Sequence, residues 1–326
     1  MKPEFPAIDL VIPAQLAGAR LDAALAQLLP QHSRTRIKAW IEAGDVRVGR
    51  QGCKPRDRVD AGARIRVHIR PGTGAETTQV KAEAIALDLV HQDRDCFVVD
   101  KPVGLVVHPG AGNREHTLQN ALLGLDPDLA ALPRAGLIHR LDKDTSGLLV
   151  VARTPEAHTS LSRQLLARTM AREYQAVCVG VMTGGGTINE PIGRHRSDRL
   201  RMTVRQDGRP AITHYRLLER FRAHTLVAVK LETGRTHQIR LHFSHLHYPI
   251  VGDPVYGGRF ARPKGASDAL AAALRAFRRQ ALHAASLAFD HPRSGKRVAF
   301  TSPLPGDFVA LLAALRADLA PGGDAG

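Results

Sequence analysis

Leu137-Ile138-His139-Arg140-Leu141-Asp142-Lys143-Asp144-Thr145-Ser146-Gly147-Leu148-Leu149-Val150 is the stretch that decides how this chain is read. A polar, charge-dense segment runs without a spacer into an apolar run, so a loop is expected to lead straight into a buried strand. That arrangement holds a carboxylate at the edge of a rigid sheet, where side chains that do chemistry are commonly placed. Taken by itself, a charged stretch before a strand is usually just a turn.

Similar apolar runs lie on both sides of it. Cys96-Phe97-Val98-Val99-Asp100, Leu148 to Ala152 and Thr225 to Leu231 read as strands, and Glu156 to Ala167 reads as a helix. In a last helix Phe308, Leu311, Leu312 and Leu315 recur at i, i+3, i+4 and i+7. A mixed, mainly antiparallel sheet with helices packed on it is expected. The N-terminal segment has a different pattern. Leu21, Leu25 and Leu28 recur at helical spacing and Pro30 ends that helix. Ser33 caps a second helix that Gly44 closes, with Ile37, Trp40 and Ile41 on an apolar face and Arg34 and Lys38 on another. Short strands follow at 46–48 and 65–69. Between the two blocks, Pro71-Gly72-Thr73-Gly74-Ala75-Glu76-Thr77-Thr78-Gln79-Val80 is polar and Gly-rich, the composition of a flexible linker.

Composition narrows the function classes. The 326 residues suffice for a small domain plus a medium one, and 44% hydrophobic residues can form a core without staples. Lys and Arg number 46 against 31 Asp and Glu, a net charge of +15 that points to a polyanionic partner, nucleic acid ahead of anionic lipid. Cys53, Cys96 and Cys178 are far apart and form no CxxC pair, which argues against a disulfide framework and a thiolate zinc site. No apolar run approaches the roughly 20 residues of a membrane span, and no apolar segment follows the charged start, so the cytoplasm is expected and a membrane is not. There is no Walker A loop and no GxGxxG after a strand, so no nucleotide fuel, redox cofactor or metal is expected.

Further stretches give the central loop its context. Arg172-Glu173-Tyr174-Gln175 opens a strand with a tyrosine, and Thr233-Gly234-Arg235-Thr236-His237-Gln238-Ile239-Arg240 gathers donors after another. Together with Asp100-Lys101-Pro102-Val103-Gly104 and Gly252-Asp253-Pro254-Val255-Tyr256-Gly257, they resemble the RluA-type family of pseudouridine synthases. The matches at 139–147 and 233–240 are the most specific. Arg20-Leu21-Asp22, Ser33-Arg34-Thr35, Gly44 to Val48 and Lys54-Pro55 resemble the S4 RNA-binding domain.

The resemblance implies an α+β chain, with an S4-like domain over 1–72, a linker over 73–82 and a catalytic domain over 83–326. It implies conversion of uridine to pseudouridine in large-subunit ribosomal RNA, in the stem-loop called helix 69, without a cofactor. By motif correspondence Asp142 is the reacting carboxylate, Arg240 its ion-pair partner, Tyr174 the residue packed on the target base, and Arg140 the one that fills the place of the flipped base or holds the displaced strand, with a plain phosphate contact as the alternative. Arg34 and Lys38 would track phosphates. The Arg-rich stretch with Arg194, Arg196, Arg199 and Arg201 would form a hairpin or loop that grips the RNA stem. A monomer is expected. Two other readings stand beside this one: a non-catalytic RNA-binding ribosome-assembly factor on the same fold, and a metal-dependent hydrolase built on His237, His242, His245 and His247.

Overall fold

In a computed structural model that describes residues 7–29, 34–49, 51–68, 80–110, 112–198, 201–258 and 260–319, the chain divides into two units, Met1–Gln79 and Val80–Gly326. The first unit runs through strand β1 (Ala7–Val11), helices α1 (Leu21–Leu28) and α2 (Arg34–Glu42), and strands β2 (Val46–Val48), β3 (Gln51–Gly52) and β4 (Arg64–His68). The sheet order is β1-β4-β2-β3, with every pair antiparallel. Leu21 and Leu25 of α1 pack with Ile37, Trp40 and Ile41 of α2 against Ile65 and Val67 of β4. Period-2 alternation sends Arg64 and Arg66 of β4 outward.

Gly44 ends α2 at φ +77°, with Asp45 N–H bonding to the Trp40 carbonyl and Gly44 N–H to that of Ile41. This pair of bonds is the Schellman closure that a left-handed residue permits. Strands β1 and β3 were not legible in advance. Asp9 interrupts the first, the second is only Gln-Gly, and both gain strand character by pairing with neighbours. The expected cap Ser33, the stop Pro30 and residues 73–79 of the expected linker lie outside the described residues. Lys81, at the linker's far end, is fastened to the second unit, since the buried Asn120 side chain donates to its carbonyl at 2.8 Å.

The second unit contains β5 (Asp88–Gln92), β6 (Cys96–Lys101), α3 (Leu118–Leu125), β7 (Ser146–Ala152), α4 (Pro155–Leu166), β8 (Ala171–Val179), β9 (Gly186–Asn189), β10 (Ile192–Arg194), β11 (Met202–Val204), β12 (Ile212–Arg220), β13 (His224–Leu231), α5 (Gln238–His245), α6 (Asp268–Ala276), β14 (Leu282–Asp290), β15 (Arg297–Thr301) and α7 (Gly306–Ala317). Its main sheet has the order β5-β6-β7-β14-β8-β13-β12-β9, with β15 on β14. All pairs are antiparallel except β7 with β14. The middle strands are covered on both faces, which is why they read as unbroken apolar runs. Phe97, Val99, Leu149 and Val151 belong to one buried cluster with side chains of α3, α6 and α7. Cys96, Val98, Leu148 and Val150 face Ala157 and Leu161 of α4. All four residues picked out in the last helix are buried there.

The parallel pair fixes where the Asp142 loop ends. Gly147 has φ +108°, and a Cβ there would lie 2.3 Å from the Ala284 carbonyl oxygen. Only glycine lets β7 and β14 approach this closely, so the strand starts directly after the charged loop. Among the described residues no helix is long and apolar enough to cross a membrane.

Candidate active site

The 142–145 loop is held from two directions. Thr145 N–H closes a turn onto the Asp142 carbonyl at 3.1 Å, and the Gln280 side chain donates to the buried Thr145 hydroxyl at 3.0 Å. On the other side stands Lys101, a lysine with no exposed surface. Its ammonium donates to the carbonyls of Pro102 (2.7 Å), Leu105 (3.0 Å) and Lys143 (2.9 Å), tying the 101–105 loop to the residue after Asp142.

Burial draws the Lys101 pKa down to about 8, against the opposing pull of Asp144 and Asp142. Its folded value therefore lies below the ordinary 10.5. Between those values the unfolded chain binds the proton more tightly, so the stability this lysine confers increases with pH across the window. Lys101→Met is expected to cost about 2–4 kcal/mol at pH 7, because three carbonyls lose their donor. The gap to the unsubstituted protein should widen between pH 8 and pH 10, as read by urea unfolding. A gap that narrows would contradict this account.

The second wall is the 233–240 segment, which Gln238 organises. Its carboxamide oxygen accepts from the Thr233 hydroxyl (2.8 Å) and the Arg235 N–H (3.0 Å), and its nitrogen donates to Ile212 O and Thr213 Oγ1, both at 3.0 Å. His237, just before α5, sits in the left-handed region at φ 56°. Such strain is characteristic of functional segments. The turn into α5 carries Arg240 inward, where it is 5% exposed.

Arg240 Nη1 donates to Asp142 Oδ2 at 2.9 Å, while Nε and Nη2 grip Asp253 at 2.7 and 2.9 Å. Burial opposes the charge on Arg240, but the Asp253 and Asp142 carboxylates outweigh it and hold the guanidinium above its usual pKa. Burial also opposes the Asp253 carboxylate, and Arg240 with the N–H groups of Tyr256 and Val255 overcomes it, so the acid lies below its ordinary range. The Tyr256 ring lies 5.3 Å from the Arg240 guanidinium, and its hydroxyl accepts from Met202 N–H at 2.9 Å and shares a 3.0 Å bond with His237 Nδ1. His237 Nε2 then faces Asp142 Oδ1 at 4.0 Å. Burial keeps this imidazole below its usual pKa despite the opposing pull of Asp142.

Asp142, Tyr174 and Arg240 line one cleft of about 420 Å³. Tyr174 comes from β8 and is 5% exposed, and burial raises its phenol above the ordinary value. Arg140 lies exposed at the same cleft. The Arg-rich stretch forms the β10–β11 hairpin, with Arg194 opposite Met202. Arg194, Arg196 and Arg201 are exposed, and Arg201 also donates to the Val255 carbonyl at 3.1 Å beside Tyr256. Arg199 lies outside the described residues. In the first unit Arg34 opens α2, while Lys38 is exposed and ion-paired with Glu42 one turn on at 3.3 Å. In the pseudouridine-synthase reading of the sequence, Asp253, Tyr256 and His237 have no role. Their signal was present in the quoted Gly252-to-Gly257 and Thr233-to-Arg240 stretches, but nothing local says that an aspartate 13 residues from Arg240 will close on it.

The four histidines of the hydrolase reading do not converge. Among the described residues, the groups with metal-ligand spacing are His91–Asp93–Cys96 and Asp93–Asp95–His291, and neither contains them. His242 is instead a buried tether, bonded to Thr213 Oγ1 at 2.8 Å and to the Glu190 carbonyl at 3.0 Å.

Comparison with known proteins gives the family. Residues 95–245 match the RNA pseudouridylate synthase family and residues 19–65 match the S4 domain. The chain is 54% identical over 310 residues to ribosomal large subunit pseudouridine synthase D of Xanthomonas campestris, covering 95% of this chain and 93% of the relative. It is 50% identical over 302 residues to the protein of that name from Escherichia coli K12, covering 92% of each. Among solved structures, human RNA pseudouridylate synthase domain containing 4 is similar at a TM-score of 0.55 and 28% identity, covering 70% of this chain and 93% of that one. Human RNA pseudouridylate synthase domain containing 1 gives 0.53 and 26%, covering 78% and 100%. The chain, an S4 domain followed by a mixed-sheet unit with one charged cleft, belongs to the family of RNA pseudouridine synthases.

Proposed function

We propose that this chain isomerises uridine to pseudouridine in large-subunit ribosomal RNA, in the helix 69 stem-loop, with Asp142 as the acting carboxylate. One observation carries the reading: the Asp142 carboxylate faces a cleft, 2.9 Å from a guanidinium that is itself locked by a second acid. Half-identity to enzymes named for the large subunit supports the substrate.

The reaction breaks the N1–C1′ bond, turns the uracil and rejoins it through C5. It is an isomerisation, and a carboxylate that can attack or stabilise a sugar cation and later leave is the group it needs. Arg240 donates to the Asp142 carboxylate and fixes its orientation in the cleft. Tyr174 offers an aromatic face to the base, which must first leave its stack. Arg140 takes the vacated place, since a planar guanidinium stacks and binds phosphate at once. Arg34, Lys38, Arg194, Arg196, Arg199 and Arg201 hold phosphates of the surrounding RNA. The chain acts as a monomer, and a ribosomal RNA substrate sets its work in the cytoplasm.

The test is tritium release from C5-labelled uridine in a helix 69 fragment and in whole large-subunit RNA, with the purified protein. Release from either, followed by mapping of the new pseudouridines, is the expected result. No release from either would end the reading. Replacing Arg194, Arg196 and Arg201 together by alanine should lower the slope of log Kd against log salt by about 2. An unchanged slope would remove the hairpin from the RNA interface.

A further inference from the structure

Three residues lining the cleft, His108, His139 and Arg172, each hold a buried side-chain nitrogen with no hydrogen-bond partner among the described residues, and the last two stand near Asp142 and Tyr174, respectively, in sequence. Arg172, two residues before Tyr174 on the same face of β8, is 5% exposed and its Nε has no partner. The nearby carboxylates are occupied elsewhere: Asp142 by Arg240, and Glu232 by Arg168 and His214. His139 accepts from Val150 N–H through Nε2 at 3.4 Å, which leaves the proton on Nδ1, and that buried atom is also without a partner. Both residues line the cleft. Buried donors are rarely left unmatched, because each costs about 1–3 kcal/mol. Gly234 keeps the arrangement open, since a Cβ there would lie 2.9 Å from Arg172 Nη1.

On the isomerisation reading above, we infer that Arg172, with His139 beside it, contacts the carbonyl oxygens of the target uracil and carries the negative charge the base acquires. When the N1–C1′ bond breaks, its electron pair stays on the ring and spreads over N1, O2 and O4, while C1′ is left electron-poor and is met by the Asp142 carboxylate. Rejoining returns a ring pair from C5 to C1′ as the Asp142 oxygen leaves with its own pair, C5 then loses its proton, and N1 gains one, so atoms and electrons balance without a co-reactant. Arg240 cannot serve the base in this way, because Asp142 and Asp253 together outweigh its single charge. Among the described residues no carboxylate pairs with Arg172, and it lines the cleft in which the charge would develop.

The experiment measures single-turnover pseudouridine formation at saturating enzyme, together with RNA affinity, for the unsubstituted full-length protein and for Arg172→Ala, Arg172→Lys and Gly234→Ala. Arg172→Ala should slow the bound-state step by about 10²–10³-fold. Lysine should restore at least part of it, and guanidinium ions added to Arg172→Ala should recover activity where sodium at equal strength does not. Gly234→Ala, which displaces the guanidinium without removing it, should slow the step by about 10-fold. RNA affinity should change by less than about 3-fold in each. A loss confined to affinity, with a shallower salt slope, would make Arg172 a phosphate contact and overturn the inference, as would unchanged rates. If Arg172→Ala fails to fold, the lysine and Gly234→Ala arms decide. An inactive unsubstituted protein would refute the isomerase reading, not this one.

Discussion

Asp142→Asn is expected to remove pseudouridine formation, by roughly 10⁴-fold or more, while leaving the fold and RNA affinity in place. Asparagine keeps the shape of the side chain and can still accept from Arg240 Nη1, but a neutral amide neither attacks carbon nor opposes a sugar cation. Stability should hold or rise slightly. Asp142 and Asp253 share one guanidinium, so the cluster carries an excess negative charge, and removing one acid leaves the bidentate Arg240–Asp253 pair balanced. A site that gains stability when its reactive acid is neutralised is one in which function costs stability. Tritium release from C5-labelled RNA and thermal unfolding measure the two halves. Equal release from both proteins would remove Asp142 from its role, and a fall of more than about 10 °C in Tm would show that the acid is structural.

Arg240→Met should be the most damaging change to the fold among the cleft residues. The Asp253 side chain has no exposed surface, and deleting its partner leaves a buried acid uncompensated, at about 3–5 kcal/mol. The penalty should depend on pH. In the unsubstituted protein Asp253 is held below its ordinary range, because Arg240 and two backbone N–H groups outweigh burial. Its contribution is present above about pH 4 and is lost as pH falls through the folded value. Without Arg240, burial prevails and the folded pKa moves above the unfolded one, so the sign reverses and the variant loses stability as pH rises. Urea unfolding at pH 5 and pH 7.5 should therefore show a larger gap at the higher pH. A gap equal at both would mean that the Asp253 carboxylate is solvated by something other than Arg240.

Much of the architecture was legible because its signals are local. The run Cys96–Lys101 and the run Ser146–Ala152 are apolar at every step because both their faces are covered, and the last helix shows its stripe within one window of sequence. The loop at Asp142 and the segment ending at Arg240 stood out as charge next to apolar strand. The short strands at Ala7–Val11 and Gln51–Gly52 did not, since their pairing partners lie elsewhere in the chain.

The sequence by itself determined the two-block organisation and the mixed sheet, because periodicity is a property of neighbouring residues, and its resemblance to a known family singled out Asp142 as the candidate acid. Only the tertiary structure decided which charges are matched. It put Asp253 on the far side of Arg240, sank Lys101 among three carbonyls, and left the buried Arg172 Nε without a hydrogen-bond partner among the described residues. Local polarity says that such residues prefer water. Whether a buried charge meets its partner depends on chain segments as far apart as 98 residues arriving at one point, and that is set by packing.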